Sequence, residues 1–253
     1  MKFRQVLNIL SFILVLAVNG LANSLPINNQ TTGQVSDSYP VMFTPAGYVF
    51  SIWGVIYLGL LGFVIYQALP AQRDNPRLER VGYWFAWSCL FNSIWIFLWH
   101  FELMLWSVLV MAGILLSLTF VYLRLETGRS RVSPGEGLLA RLPFSIYLGW
   151  ISVATIANVS VLIYASGWDG FGLVEQLVTV LLLAIGCGLG YLMARRHFDI
   201  AYPLVLAWAF AGIVVNQAAY SIVAIAAGLA SLAMLFAALS GLVLGRRWRG
   251  IVT

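Results

Sequence analysis

Apolar residues gather along this chain in long blocks separated by short polar clusters, and eight of the blocks are as long as a membrane-crossing helix needs. Crossing a hydrocarbon core of roughly 30 Å takes about 20 helical residues. Runs of that order occupy about 5–25, 47–69, 81–99, 103–123, 143–165, 173–193, 200–217 and 222–244. The pattern predicts an all-α fold, a polytopic membrane helix bundle of about eight transmembrane helices. Two boundaries carry alternatives. The opening MKFRQVLNILSFILVLAVNGLANS joins a basic start to an apolar stretch with small residues near Ala22. It reads either as a retained first helix or as a signal peptide cleaved after residue 22. From Ile200 to Gly245 the chain is almost unbroken apolar sequence, and a hairpin is expected at Asn216-Gln217-Ala218-Ala219-Tyr220-Ser221, the polar cluster within it. The longest polar loop, about Pro26 to Pro45, separates the first two spans.

Composition agrees with a lipid-solvated chain: 61% of the 253 residues are hydrophobic, 9% are charged, and mean hydropathy is +0.91, too few charges for a water-facing surface. Basic residues then test the topology, because loops rich in Lys and Arg stay cytoplasmic. Lys2 and Arg4, then Arg73, Arg77 and Arg80, Arg124, Arg129, Arg131 and Arg141, Arg195 and Arg196, and Arg246, Arg247 and Arg249 account for all 14. Every one falls on the same side of the proposed spans. The opposite loops hold Asp37, Glu102, Asp169 and Glu175. Both termini are therefore expected in the cytoplasm, with the chain integral to a bacterial plasma membrane. The pI of about 9.4 reflects this topology; the scattered basic residues form no continuous patch, so membrane lipid is an expected partner and nucleic acid is not. Gly186-x-x-x-Gly190, Gly241-x-x-x-Gly245 and Ala226-x-x-x-Ala230 mark close helix approach, within the chain or across a homodimer.

Groups for acid–base or metal chemistry are few. His100 and His197 fall at opposite ends of spans, about 30 Å apart, too far to share a metal or a haem iron, and both read as interfacial residues. Cys89 and Cys187 read as small packing residues. No carboxylate lies clearly within a span, which argues against a proton-coupled pump. What remains is aromatic and amide. Trp99 and Trp168 read as belt residues at the interface, whereas Trp84, Trp87, Trp95, Trp106 and Trp150 sit deeper, with Asn92 and Asn158 as buried amides. A pocket lined by indoles and amides suits a flat, largely apolar ligand with polar edges. Tetrapyrroles, sterols and fused heteroaromatics all meet that description.

The stretch after the polar loop, Pro45-Ala46-Gly47-Tyr48-Val49-Phe50, then Trp53 and Tyr57, resembles the signature of the TspO/MBR family, tryptophan-rich sensory proteins related to the mitochondrial translocator protein. Phe85-Ala86-Trp87-Ser88 with Phe91, then Trp106, then Leu142-Pro143 and Tyr147-Leu148-Gly149-Trp150 with Ala154 and Asn158 follow in family order. Tyr48 stands where family members carry a Trp, and Trp84 where an Asn is common. The resemblance covers the first five spans. It implies a TspO/MBR-like five-helix bundle over 1–166, followed by an additional three-helix segment over 167–253. It also implies a ligand cavity beneath the loop between spans one and two, with Pro45, Tyr48, Trp53, Trp87, Trp106, Trp150, Ala154 and Asn158 as its ligand-binding residues.

By that resemblance the chain binds a porphyrin or similar amphipathic ligand as a membrane receptor or regulator, with haem or porphyrin as ligand and no resident cofactor. Light-dependent porphyrin breakdown is a further activity the resemblance brings, although no catalytic constellation is present in the sequence. A transporter of small amphipathic molecules is the alternative, and a structural subunit without ligand a third reading. A reporter active only in cytoplasm, fused at Ser130 and separately at Asp37, checks the topology: activity is expected from the first fusion alone, and the reverse pattern would invert the bundle.

Overall fold

The computed structural model describes residues 2–25, 27–168 and 172–251, with backbone alone from 246 onward. Among the described residues there is no strand. The helices are α1 Phe3–Ser24, α2 Thr32–Asp37, α3 Ile52–Ala68, α4 Pro76–Val81, α5 Trp84–His100 and α6 Met104–Arg124. They continue with a single turn α7 Pro134–Glu136, then α8 Leu142–Ala165, α9 Leu173–His197, α10 Ala201–Asn216 and α11 Ser221–Ile251. Eight long helices thus occupy the eight expected blocks. Six of them, α3 counted with the Gly47–Ser51 turn that leads into it, are long and apolar enough to cross a membrane; α5 and α10 have 17 and 16 residues. The chain is a polytopic helical membrane bundle.

Its surface explains its composition. Leu58, Leu61 and Ile65 on α3, Leu105, Leu109 and Leu116 on α6, and Leu229, Leu232 and Phe236 on α11 all face outward, the arrangement lipid tails require and water would oppose. Inside, α1 packs on α3 and α5, α5 on α6, and α6 on α8. Helix α8 is the shared wall, because its other side meets α10, which in turn packs on α9 and α11. Close approach there depends on glycine. A Cβ on Gly186 would lie 2.8 Å from the Phe210 ring, and one on Gly190 would collide with Met234. That small-residue stripe therefore serves packing within the chain.

Local chemistry sets the ends of several elements. The expected loop over Pro26 to Pro45 contains α2, whose start is a capping box: Gln34 N–H donates to Thr31 Oγ1 (3.3 Å) and Thr31 N–H to Gln34 Oε1 (2.8 Å). At the head of α8, a π turn over Gly137–Arg141 leads in from α7, with Leu142 N–H donating to the Gly137 carbonyl. Pro143 supplies the cause, since its ring has no N–H and would crowd the carbonyl four residues earlier in a regular helix. The basic loops gather at one end of the bundle, tied by Lys2 to Asp74 and Glu79, Arg77 to Glu136, and Arg80 to Glu126.

Three residues sit deeper than their sequence positions indicate. His100, expected at the interface, is fully buried: its Nδ1 donates to the Ile27 carbonyl (3.0 Å), leaving Nε2 to accept from the Thr32 hydroxyl (3.0 Å). His197 is also buried, its Nδ1 bonded to the Thr127 carbonyl. Asp199 lies between spans by number yet is buried at the α9–α10 corner. Its carboxylate accepts from Tyr122 Oη (2.8 Å), Ser145 Oγ (2.7 Å) and the backbone N–H groups of Ala201 and Tyr202 (2.9 and 3.2 Å). One side chain thereby joins α6, α8 and the start of α10. Asp199→Ala is expected to cost about 3 kcal/mol of stability, the order of a buried charged hydrogen-bond hub, and Asp199→Asn about half of that. Thermal unfolding in detergent measures both.

Candidate functional site

The turn that follows α2 is bent by Pro45 and pinned by α10: Ala46 N–H donates to the Gly212 carbonyl (3.1 Å), Trp208 Nε1 to the Val49 carbonyl (3.2 Å) and Asn216 Nδ2 to the Thr44 carbonyl (3.0 Å). A Cβ on Gly212 would lie 3.0 Å from Pro45 Cβ and collide with Val49, so glycine lets the turn seat against the helix. From Gly47 to Ser51 the backbone winds as a 3-10 helix. Three residues per turn align Phe50 with Trp53. Both rings point inward, while Tyr48 turns out against Trp208, 5.3 Å away edge to face, and stays 48% exposed.

Inward of this turn lies a cavity of about 40 Å³ lined by Thr32 and Ser36 of α2, Pro45, Phe50, Trp53, Trp95, Trp99 and Trp150, with Ala154, Ala157 and Asn158 of α8. A second chamber of about 170 Å³ adjoins it, reaching Asn19, Asn23 and Tyr57, and Thr32, Phe50, Trp53 and Trp95 border both. Trp53 stacks on Tyr57 (5.5 Å) and meets Trp150 edge on (6.2 Å), and Phe50 meets Trp150 at 5.7 Å. On the facing wall Trp95 stacks on Trp99 at 5.5 Å. Helix α2 closes the top, held by Trp99 Nε1 donating to the Thr32 carbonyl (3.2 Å). Tyr39 Oη donates to Glu102 (2.7 Å); burial, with the neighbouring carboxylate, pushes this hydroxyl up to about 12, so it remains a donor at neutral pH.

Five of the residues expected at the site converge here: Pro45, Trp53, Trp150, Ala154 and Asn158. Three do not. Trp87 is 49% exposed and stacks on Phe91, and Trp106 is 59% exposed; both rings face the lipid side of their helices, and Tyr48 is turned away as described. Trp95 and Trp99 take their place, although Trp99 reads from the sequence as a belt residue. Asn158 has no free amide atom toward the cavity: its Oδ1 accepts from Trp95 Nε1 (3.1 Å) and its Nδ2 donates to Ser107 Oγ (2.9 Å). By contrast Trp150 Nε1 and Tyr57 Oη, one in each chamber wall, are buried and have no partner. Buried donors are nearly always paired. These two are the unpaired buried side-chain atoms among the described residues that line the chambers.

Below the chambers, toward the basic end, the bundle is shut. Phe63, Phe85 and Phe144 are fully buried and pack edge to face at 4.8 to 5.6 Å. No group of three or more His, Cys, Asp or Glu side chains capable of holding a metal occurs among the described residues.

Comparison with known families gives one match. The model of a family described as TSPO-like protein matches residues 5–240, from α1 into α11. No curated protein and no solved structure matches the chain significantly. Paired substitutions separate packing from hydrogen bonding at the two inner indoles. Trp95→Phe strands the Asn158 carbonyl and is expected to cost about 1–2 kcal/mol more in unfolding free energy than Trp150→Phe, which removes an N–H without a partner.

Proposed function

We propose that this chain, which belongs to the TSPO-like family of membrane proteins, is a membrane receptor that binds a flat amphipathic ligand of the tetrapyrrole class between α2, the Pro45 turn, α5 and α8. The observation that carries this reading is the convergence of four indoles, Trp53, Trp95, Trp99 and Trp150, on one cavity where a buried indole N–H lacks a partner. Aromatic faces favour a flat conjugated ring by stacking, and the N–H can orient a carboxylate or carbonyl at its edge. Ala154 and Ala157 keep the α8 wall low enough for a ring to lie against it. Sites for drug-sized ligands typically enclose roughly 300–1,000 Å³, more than either chamber. Entry of a tetrapyrrole therefore has to swing Trp53 and Phe50 aside and merge the two.

Transport of small amphipathic molecules is the other reading. The Phe63, Phe85 and Phe144 plug speaks against it, because it closes the first five long helices toward the basic end. In the same proposal residues 1–166 form the ligand-binding bundle, and 167–253 brace it through the α10 contacts to the Pro45 turn. The sensory output would then travel from the turn into α10.

The test is quenching of intrinsic tryptophan fluorescence by protoporphyrin IX, in the dark and then in light, on purified protein. Saturable quenching is expected, weakened by about tenfold in Trp53→Ala and Trp150→Phe and unchanged in Trp106→Phe, whose ring lies outside. Quenching that never saturates and is equal in all four proteins means partition into detergent and ends the proposal. Porphyrin loss only under light would add a catalytic activity.

A further inference from the structure

A much larger cavity, about 700 Å³, lies at the basic end. Its walls are the 127–134 segment, the head of α8, the α9–α10 corner and Gly245 of α11. It shares no lining residue with the indole chambers. The group that distinguishes it is Arg141, which ends the π turn and is only 8% exposed. Its Nε donates to the Leu125 carbonyl (3.0 Å), Nη1 to the Ser130 carbonyl (2.7 Å) and Nη2 to Ser130 Oγ (2.6 Å).

All three partners are neutral, and they take three of the five N–H groups a guanidinium carries. No ion pair of Arg141 occurs among the described residues. The nearby acids act on it without touching it: Glu136 is gripped by Arg77 through both oxygens (2.5 and 3.3 Å), and Glu126 pairs with Arg80 (2.6 Å) and reaches Arg141 through the Ser130 hydroxyl. Asp199, the acid on the cavity wall, is filled by its four neutral donors. A buried charge without a direct ion pair is costly. Ser130 and Ser133 also belong to the wall, the first holding Arg141 and the second capping Glu136 N–H.

We propose that this vestibule is an anion-binding site for a phosphate-bearing group, with Arg141 as its buried anchor. The guanidinium fork suits a phosphate or carboxylate geometrically. Phosphate is favoured by position, because Arg141 stands at the residue where α8 becomes apolar, the level of a lipid headgroup. The volume accommodates a phosphate with its attached group. Two sources share this chemistry, the headgroup of an anionic lipid in the adjoining leaflet and a soluble phosphate compound.

Thermal midpoints of the purified full chain, titrated with phosphatidylglycerol in mixed micelles and separately with inorganic pyrophosphate, test the site. A saturable rise is expected with at least one probe. Its apparent affinity should weaken by about tenfold or more in Arg141→Gln and in Ser133→Asp, and stay unchanged in Arg124→Gln, whose guanidinium lies over the Trp84 ring outside the vestibule. Ser133→Asp keeps the acceptor that caps Glu136 N–H while adding a negative charge, so it reports on binding even if Arg141→Gln fails to fold. A response to phosphatidylglycerol alone assigns a lipid, and a response to pyrophosphate assigns a soluble anion. No saturable rise with either probe, or an undiminished rise in Ser133→Asp, overturns the proposal.

Discussion

Hydrocarbon offers a buried polar group no water, so a partner on another helix or on its own backbone is worth much to each such group inside this bundle. That constraint, more than apolar packing, decides which helices meet and in what register. Asn92 accepts from Asn19 on α1 (2.7 Å) and donates to Tyr147 on α8 (3.1 Å). Asn158 joins α5 to α6, and Asp199 joins α6 to α8 and α10. Near the basic end Gln5 and Gln67 exchange bonds with one another's backbone carbonyls (2.5 and 3.0 Å). Apolar faces can slide over lipid at little cost. Amides and a carboxylate with matched partners cannot, so the indoles around the cavity are presented by a frame that polar pairs hold in place.

Within that frame the cavity is contracted around Trp53. Three rings, Tyr57, Tyr147 and Trp150, pack against it, and such contacts contribute roughly 0.5–1.5 kcal/mol apiece beyond area burial. A ligand that replaces them with its own ring recovers much of what it displaces. Measured affinity would then combine the intrinsic affinity with the fraction of molecules already open.

The eight blocks and the gathering of basic loops are legible in the sequence because both rest on composition, which survives without knowledge of packing. So are Pro45, Trp53, Trp150, Ala154 and Asn158 as neighbours, through the order of the family's motifs. The orientation of α5 is not. Large apolar side chains surround that helix, and Trp87 and Trp95, eight residues apart, differ by about 80° of rotation, enough to send one ring to lipid and leave the other 6% exposed. Tyr48, placed at the site by the resemblance, packs outside it on Trp208, and Phe50, two residues on, lines the cavity. Asp199 and His100 look like loop residues by number. Their burial follows from residues distant in sequence, Tyr122 and Ser145 around Asp199 and Ile27 and Thr32 around His100, which contribute nothing to a local hydropathy pattern.

The π turn at Gly137–Arg141 connects two regions with separate demands. Upstream of it Glu136 must meet Arg77; downstream Ser145 must meet Asp199 and Trp150 must face Trp53. Each helical residue advances the chain by about 100°, and a π turn holds one residue more than the α turn it interrupts. The wide turn is therefore a phase adjuster between the basic end and the cavity. The number of residues in the turn is thus encoded beside the identity of Arg141, whose bonds to Leu125 and Ser130 hold the same segment from the other side.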